Sequence, residues 1–450
     1  MTTSPATRRQ RIADVLGGVR RSRELAAHDA WSREQLEAHQ RERLRELVAF
    51  AVQRSPFHRA RLAGGALPTM DKAALLEHYD AIVTDPRLTL ARLEEHLAAL
   101  DDDLLLHGDY RIMGTGGTSG RRTIIPWARA EWREVVASYF RFSAMAGRRP
   151  RPGRRMASIT TRSPRHMTAR AGLTLDVGVM RMLRLYAAQP LDELAAALQA
   201  HRPDELIGYP SVLALLADAQ LDGRLRVAPS FVTTSSEVCT PDMAARIQEA
   251  WGVAPMDCLG ITEAGITAVT CPERAGMHVF EDQVMVEVLD EDHRPAPDGE
   301  PGRLVVTPLG LRTLPLVRYE MGDLVRATRE PCACGRPSLR LLEVQGRADD
   351  VLRLPGAAGG TIAVHPIVLR SPLAAVAGLA QYQVVCAPER LRVCVTLRAG
   401  ADETAVSDDV RRRIGAALAG AGARVPELEV AVSPTLPRSE IGKHRLVVMA

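Results

Sequence analysis

The segment IMGTGGTSGRRTI, residues 112 to 124, concentrates glycine and hydroxyl side chains between apolar ends. Glycine lets the backbone approach an anion closely and turn its N–H groups toward it, and serine and threonine hydroxyls add donors. Phosphate is the ligand that this chemistry favours. A P-loop has a glycine six residues before its lysine, but here Thr115 lies six residues before Arg121, so the segment is not a P-loop. Nor is it a dinucleotide-binding fingerprint, because Ser119 stands where the third glycine of that motif is required. The segment predicts either a phosphate loop of another kind or an ordinary surface loop.

A second group of residues has the side chains of a zinc site. Cys271 and His278 are separated by six residues, and Cys332 and Cys334 by one. Three thiolates and one imidazole form a closed tetrahedral set, which is structural rather than catalytic. The spacing is not that of a standard zinc finger, so three buried thiols and a surface histidine remain the alternative.

The elements that must position these residues alternate from about residue 203 onward. Short apolar strands (ELIGY, SFVTTSS, APMDCLG) are separated by helical segments, which indicates right-handed crossovers and a parallel sheet. Ligands of such sheets bind beyond the carboxyl ends of the strands. The turns GYPS, TTSSE and LGITEAG follow those ends, so we expect them to meet in one crevice.

The rest of the chain fits an α/β protein in two parts. Residues 31–63 have helical spacing, with Ser32 as a candidate N-cap and Pro56 as a break. QVMVEVLD and GRLVVTPL alternate as antiparallel strands, and the last hundred residues place strands around one helix. We therefore predict a large N-terminal domain over residues 1–346, with parallel strands flanked by helices plus antiparallel strands. Residues 347–450 are expected to form a small, mobile α+β domain.

Composition excludes several classes of protein. The chain has 450 residues, 46% of them hydrophobic, and a net charge of +4 from 58 basic and 54 acidic residues. The expected field is weak, so no nucleic-acid partner is expected. No apolar run approaches the roughly 18 residues of a membrane span, and no signal core begins the chain, so the cytoplasm is the expected compartment. Seven scattered cysteines do not resemble a disulfide framework.

Five ordered motifs resemble those of the adenylate-forming enzymes, the superfamily of acyl-CoA synthetases, luciferases and peptide-synthetase adenylation domains. GTGGTSGRRT is similar to their phosphate loop SSGTTGKPT. The later matches are LGITEAG (259–265) to YGxTE, RYEMGDL (318–324) to YRTGD, GRADDVLRL (346–354) to GRxDD, and LPRSEIGKHRL (436–446) to P(R/K)(S/T)xxGK.

The phenylacetate-CoA ligase branch is the most similar part of that superfamily. CPERAGMHVFED, PLVRYEMGD, PCACGRP and SPFHRARL resemble this branch specifically. Some relatives in the branch look similar at the cysteine and histidine positions and carry zinc. The resemblance therefore implies a structural zinc ion within residues 271–334.

The resemblance also assigns a nucleotide site for ATP and Mg²⁺. The residues implied to hold the β- and γ-phosphates are Thr115, Gly117, Thr118, Ser119, Gly120 and Arg121. Ser236, Glu237 and Gly260 are implied to line the adenine site, Thr262 to contact the α-phosphate, and Glu263 to hold Mg²⁺, a hard cation that favours carboxylate and phosphate oxygens.

The remaining implied roles concern ribose, catalysis and movement. Asp323 would accept hydrogen bonds from the ribose hydroxyls, and Arg347 would contact the ribose or the α-phosphate. Asp349 would be the hinge of the small domain. Lys443 would bridge the attacking oxyanion and the α-phosphate. The candidates for the substrate pocket are Tyr209, Pro210, Ser211, Ile261, Ala264 and Gly265.

Three functions remain open from the sequence. In the first, an aryl or medium-chain carboxylic acid is activated as acyl-AMP with release of pyrophosphate and passed to a thiol such as CoA or to an amine. In the second, a different oxyanion such as nitrite is adenylated to diazotise an aryl amine in natural-product biosynthesis. The third is a non-catalytic nucleotide-binding regulator. A homodimer is allowed for in each.

Overall fold

The structure, a computed structural model, describes residues 5–115, 122–148, 151–347, 351–364, 366–387, 390–439 and 442–449. Six sequence predictions lie outside the described residues. They concern the phosphate-loop residues Gly117, Thr118, Ser119, Gly120 and Arg121, and the hinge Asp349.

Helices cover the N-terminal end of the chain and the crossovers of the sheet. They are α1 (Pro5–Ala26), a 3-10 helix (Ala27–Ala30), α2 (Arg33–Arg54), α3 (Pro56–Arg61), α4 (Lys72–Glu77), α5 (Tyr79–Ile82), α6 (Leu90–Ala99), α7 (Arg129–Met145), α8 (Met167–Leu175), α9 (Leu191–His201), α10 (Pro210–Leu221), α11 (Pro241–Trp251), α12 (Pro366–Ala374) and α13 (Glu403–Gly420). Ser32 caps α2 as predicted, accepting the Gln35 N–H at 3.3 Å while the Gln35 side chain accepts the Ser32 N–H at 2.8 Å. Pro56 begins α3, so the break falls where the sequence indicates.

The strands begin after the sixth helix. They are β1 (Tyr110–Gly114), β2 (Ile124–Ala128), β3 (Arg155–Thr160), β4 (Arg181–Tyr186), β5 (Glu205–Gly208), β6 (Phe231–Ser235), β7 (Met256–Ile261), β8 (Gly265–Thr270), β9 (Met277–Val279), β10 (Val284–Leu289), β11 (Pro301–Pro308), β12 (Tyr319–Thr328), β13 (Arg340–Arg347), β14 (Leu352–Pro355), β15 (Thr361–Val364), β16 (Leu379–Ala387), β17 (Arg390–Leu397), β18 (Glu427–Val432) and β19 (Val447–Met449).

The largest sheet within the described ranges has the strand order β10-β11-β12-β13-β9-β8-β7-β6-β5-β3-β4. Strands β4, β3, β5, β6 and β7 pair in parallel, and the pairs from β7–β8 outward are antiparallel. The helices α8, α9, α10 and α11 provide the crossovers that follow β3, β4, β5 and β6. The predicted α/β fold class is confirmed. The carboxyl ends of β5, β6 and β7 lie side by side, which places the turns after them at one edge.

The C-terminal region has its own core. Strands β18, β17, β16 and β19 form a sheet in that order, and β14 pairs with β15. Buried residues between Leu352 and Val447 form one apolar cluster, whose described members are separate from the clusters of the large sheet. The domain boundary between residues 346 and 347 remains a prediction.

Helix α1 packs along α7 and supports the strand that leads into the glycine-rich loop. Arg111 on β1 donates to the Asp14 carboxylate of α1 at 2.9 Å, with both side chains fully buried. A buried ion pair loses far more when one partner is removed than it contributes intact, so this contact fixes how α1 meets β1. Among the helices of the described chain, none is long and apolar enough to cross a membrane.

Candidate functional site

A cavity of about 1100 Å³ lies between the edge of the large sheet and the C-terminal region. Its lining includes most of the described residues that the motifs single out. These are Thr115, Ser211, Ser236, Glu237, Gly260, Ile261, Thr262, Glu263, Asp323, Arg347 and Lys443. Residues more than 300 positions apart therefore meet around one space, as the order of the motifs implies.

Four of the candidates for the substrate pocket lie outside this lining, namely Tyr209, Pro210, Ala264 and Gly265. Tyr209 is only 1% exposed and belongs to the apolar core behind the parallel strands. Gly265, with φ near +79°, packs against α7, where an added Cβ would lie 3.2 Å from Val135 Cγ1 and 3.2 Å from Ser138 Oγ. The structure thus separates these four residues from Ser211 and Ile261, which face the cavity.

The glycine-rich loop is pinned at its base. The Thr115 N–H donates to the Thr123 carbonyl at 2.9 Å, and the Thr123 N–H donates back to Thr115 Oγ1 at 3.2 Å. The Gly114 N–H donates to the Arg165 carbonyl at 2.8 Å. These bonds hold the start of the loop at the cavity wall.

An acidic corner of the cavity joins the parallel and antiparallel halves of the sheet. Glu263 lies in the turn between β7 and β8, and Trp127 Nε1–H donates to the carbonyl of the preceding Thr262 at 3.1 Å. Burial raises the pKa of Glu263 to about 7, and the nearby charge of Asp323 adds to this rise. Asp323 is the register partner of Arg347 on the neighbouring strand. A buried carboxylate beside a half-buried one suits a bound cation, because opposite charge would favour their ionised forms.

Lys443 reaches the same cavity from the C-terminal region. It follows Gly442, whose φ is near +80° and whose added Cβ would lie 3.0 Å from Ala187 Cβ, so glycine is required there. Burial lowers the pKa of the Lys443 ammonium, while the carboxylates of Glu237 and Asp323 oppose that shift. The Lys443 side chain thus lies within electrostatic reach of Glu237 and Asp323.

The wall of the cavity that follows β6 contains Ser236, a non-glycine residue with φ near +69°. Backbone strain of this kind persists where surrounding contacts enforce it, and it is concentrated at functional sites. Asp257 lines the cavity on the next strand, and Asp257 Oδ1 accepts the Thr234 hydroxyl at 2.8 Å. Burial raises the pKa of Asp257 to about 6.

Asp257 and Lys72 are among the lining residues that sequence reasoning missed. Asp257 lies two positions before the LGITEAG motif, so the strand alternation that carries Leu259 could have pointed to it. Lys72 is the first residue of α4, after the N-cap Asp71, whose Oδ1 accepts the Ala74 N–H at 2.8 Å. Its charge acts on Glu263, although no nearby motif marks it.

The predicted metal ligands also come together. One ligand atom from each of Cys271, His278, Cys332 and Cys334 lies within 4.8 Å of all the others. Cys271 Sγ is 3.4 Å from Cys332 Sγ, and Cys334 Sγ is 3.1 Å from His278 Nε2. His278 Nδ1 lies 2.9 Å from Ser338 Oγ, which orients the ring as an outer partner of a metal ligand does. The donor set and its support fit a structural zinc ion.

No protein-family profile matches the chain. Phenylacetate-coenzyme A ligase of Thermus thermophilus is 28% identical over 380 residues, which cover 78% of this chain and 78% of that protein. A crystal structure of 2-hydroxyisobutyryl-CoA ligase in the postadenylation state matches with a TM-score of 0.75 at 22% identity, over 94% of this chain and 91% of that one. The thioesterification state of that ligase, with 2-HIB-AMP and CoA, matches with a TM-score of 0.60 at 21% identity and the same coverage.

Proposed function

We propose that the chain is a phenylacetate-CoA ligase-like, ATP-dependent and AMP-forming ligase of the adenylate-forming superfamily, and that it activates a carboxylic acid as its acyl-AMP. A carboxylate oxygen would attack the α-phosphorus of ATP, the bond to the β-phosphate would break, and pyrophosphate would leave. The acyl group would then pass to a thiol, with CoA as one candidate, or to an amine.

The observation that carries this proposal is the meeting of Glu263, Asp323, Arg347 and Lys443 around one cavity. Attack by one anion on another requires neutralisation of charge more than covalent help from the protein. Lys443 would place an ammonium between the carboxylate and the α-phosphate, with Thr262 beside it. Glu263 would hold Mg²⁺, which supplies positive charge against the phosphates when bound.

The other residues would bind the nucleotide. Asp323 and Arg347 would contact the ribose and α-phosphate, and Ser236, Glu237 and Gly260 would surround the adenine. Thr115 would contact the outer phosphates, together with the loop residues Gly117 to Arg121. Lys72 and Asp257 line the same cavity and would extend this set, Lys72 toward the phosphates and Asp257 toward the nucleobase.

The domain arrangement fits the first half of such a reaction. Lys443 already lies at the cavity, and the TM-score is higher with the postadenylation state of 2-hydroxyisobutyryl-CoA ligase (0.75) than with its thioesterification state (0.60). The small C-terminal domain, residues 347–450, would turn about Asp349 to present another face to the acceptor.

Release of pyrophosphate from ATP tests the proposal directly. The purified chain should release pyrophosphate with at least one acid from a panel of aryl and aliphatic acids, and the product should be the acyl-AMP. ATP binding without pyrophosphate release for any acid, or for nitrite with an aryl amine, would instead favour a nucleotide-binding regulator.

A second candidate function is adenylation of a small oxyanion such as nitrite, after which an aryl amine would displace AMP in natural-product biosynthesis. The packing beside Gly265 favours it. Ser138 Oγ accepts the Ile266 N–H at 3.1 Å, and Val135 touches the same turn, so α7 occupies the space that small residues could have left for an acyl group.

Substrate size distinguishes the two candidates. If α7 limits the pocket, nitrite and acids of two or three carbons should release pyrophosphate faster than benzoate or phenylacetate. Val135→Ala, which removes two methyl groups beside Gly265, should shift the preference toward the larger acids. Faster turnover of aryl acids by the unmodified chain would rule out the small-oxyanion candidate.

We further propose that Cys271, His278, Cys332 and Cys334 hold a structural zinc ion. The support is the convergence of the four ligand atoms and the contact of His278 with Ser338. Such an ion would stabilise the hairpin of β8 and β9 against the loop between β12 and β13, away from the reacting groups.

A further inference from the structure

Ser211, at the start of α10, uses all three of its polar groups in contacts near the cavity. Its N–H donates to Glu237 Oε2 at 3.2 Å, and its Oγ accepts from Arg438 Nη1 at 3.0 Å. Its carbonyl accepts from Gln381 Nε2 at 3.1 Å. Arg438 and Gln381 belong to the C-terminal region, so one buried serine of the large sheet's edge holds that region at two points.

Glu237 joins the same contact to the lysine-bearing segment. Its second carboxylate oxygen, Oε1, accepts the backbone N–H of His444 at 2.6 Å. His444 directly follows Lys443, and its Nε2 lies 2.8 Å from the Tyr382 carbonyl of β16. The Glu237 carboxylate thus bridges the start of α10 and the residue next to the ammonium.

The turn that presents Lys443 is closed by the same arginine. Arg438 Nη1 also donates to the Gly442 carbonyl at 3.1 Å. The Ser439 N–H donates to the Lys443 carbonyl at 2.9 Å, and the Lys443 N–H donates to Ser439 Oγ at 3.1 Å. Arg438 therefore touches both the turn and Ser211, so movement of the C-terminal region would break its bond to Ser211.

Burial makes these contacts strong. Ser211 is 1% exposed, and His444 is 6% exposed. Glu237 and Arg438 are half-buried, so removal of a partner would leave a charged group with fewer hydrogen bonds in a place where water replaces them poorly. The contacts thus favour the closed arrangement over any in which Arg438 and Ser211 separate.

We infer that Ser211, Glu237 and Arg438, here called the latch, position Lys443 for adenylation by holding the C-terminal region closed. The inference rests on the proposed function, because it assigns to Lys443 the transfer step described above. Ser211 and Arg438 act through Lys443 and are positioning residues. The sequence makes Ser211 a candidate for the substrate pocket, whereas this inference gives it the role of holding the C-terminal region against the large sheet.

Arg438→Gln and Ser211→Ala test the latch. Both should lower the rate of pyrophosphate release at saturating ATP by about tenfold or more, since a hydrogen bond to a charged group contributes about 1.5–3 kcal/mol. The KM for ATP should change by less than about threefold, since the nucleotide contacts remain. Arg438→Lys, which keeps the charge, should recover part of the rate.

Arg398→Gln is the matched control, because Arg398 pairs with Asp242 at 3.3 Å across the same interface but away from Lys443. Small-angle X-ray scattering adds a readout that needs no substrate. The radius of gyration should increase for Arg438→Gln and Ser211→Ala and stay unchanged for Arg398→Gln.

The outcomes separate the latch from the proposed function. Rates and radii of gyration of the latch variants that equal those of Arg398→Gln would overturn the latch. If the unmodified chain releases no pyrophosphate with any substrate, the proposed function fails, and the scattering comparison alone decides whether the latch holds the two regions together. Should Arg438→Gln not fold, Arg438→Lys and Ser211→Ala carry the same comparison.

Discussion

The cavity between the large sheet and the C-terminal region is assembled differently from the cysteine–histidine cluster, although both use neighbouring strands of one sheet. The cavity draws its groups from positions between Asp71 and Val447 and from two separate cores. The cluster draws its four ligands from residues 271–334, on the β8–β9 hairpin and the loop before β13. A site split between two cores can be opened by their separation, whereas a site built within one sheet stays assembled.

The two sites also differ in what they do to stability. Burial raises the pKa values of Glu263 and Asp257 in the cavity to about 7 and 6, so their ionised forms destabilise the fold near neutral pH. The cluster has the opposite expected effect, because a bound zinc ion would add its binding free energy to the folded state. The cavity favours chemistry at a cost in stability, and the cluster favours stability.

Removal of the Lys443 side chain should give the largest effect, and it tests whether the cavity needs groups from both cores. Lys443→Ala should reduce acyl-AMP formation by roughly 10²–10³-fold, the loss typical of one preorganised charge-stabilising donor. ATP affinity by calorimetry should be nearly unchanged, and transfer from preformed acyl-AMP should continue. An adenylation rate equal to that of the unmodified chain would refute the role of Lys443.

Loss of one cluster ligand should affect stability and leave the reacting groups in place. Cys334→Ser should remove the bound zinc and lower the melting temperature by about 2 °C or more, because the binding free energy of the ion would no longer stabilise the folded state. Metal analysis and calorimetry measure both effects. Cys394→Ser, on β17 in the other core, is the control and should retain the metal. A metal-free unmodified chain with the same melting temperature as Cys334→Ser would contradict the zinc proposal.

Substitution of Asp257 should have a smaller effect, and it tests whether the cavity lowers the stability of the fold. The pKa of Asp257 rises from 3.8 to about 6 on folding, so the native state holds this proton more tightly than the unfolded state does. Its contribution therefore lowers stability as pH rises from about 4 to 6 and remains unfavourable above that range. Asp257→Asn keeps an acceptor for Thr234 and should be more stable than the unmodified chain at pH 7.5, by on the order of 2 kcal/mol.

The pH dependence of that difference is the measurement that matters. Denaturant unfolding of both chains should show the gap shrinking below about pH 6 and nearly vanishing at pH 4. A gap that stays constant across this range would mean that Asp257 does not titrate in the folded state as burial dictates.

Local patterns determined a large part of this protein. The Ser32 cap and the Pro56 break were predictable because capping and the missing proline N–H act within a few residues. The alternation of strands and helices from residue 203 predicted the parallel sheet, and its polar turns marked Ser236 and Glu263 as neighbours. The meeting of the four cysteine and histidine residues was also predicted, while the ion that they would hold remains a prediction.

Tertiary structure decided the contacts between distant segments. In α1, Gly17 and Gly18 weaken a helix by intrinsic propensity, yet a Cβ at Gly18 would lie 2.3 Å from Val136 Cγ1, so glycine permits α1 to cross α7 closely. Gly265 likewise permits a close contact with α7, which fills the space beside it. Small residues in a sequence can mark an open pocket or a close contact, and only the neighbour distinguishes them.

The sequence by itself therefore determined which residues can carry the chemistry and which elements bring them to one edge of a sheet. It did not determine which atoms of Ser211, Glu237 and Arg438 are used, because those bonds join positions as many as 227 residues apart. Such bonds form only once two cores have folded and docked. The order of the motifs is local information, whereas the closed arrangement that places Lys443 is a property of the packed molecule.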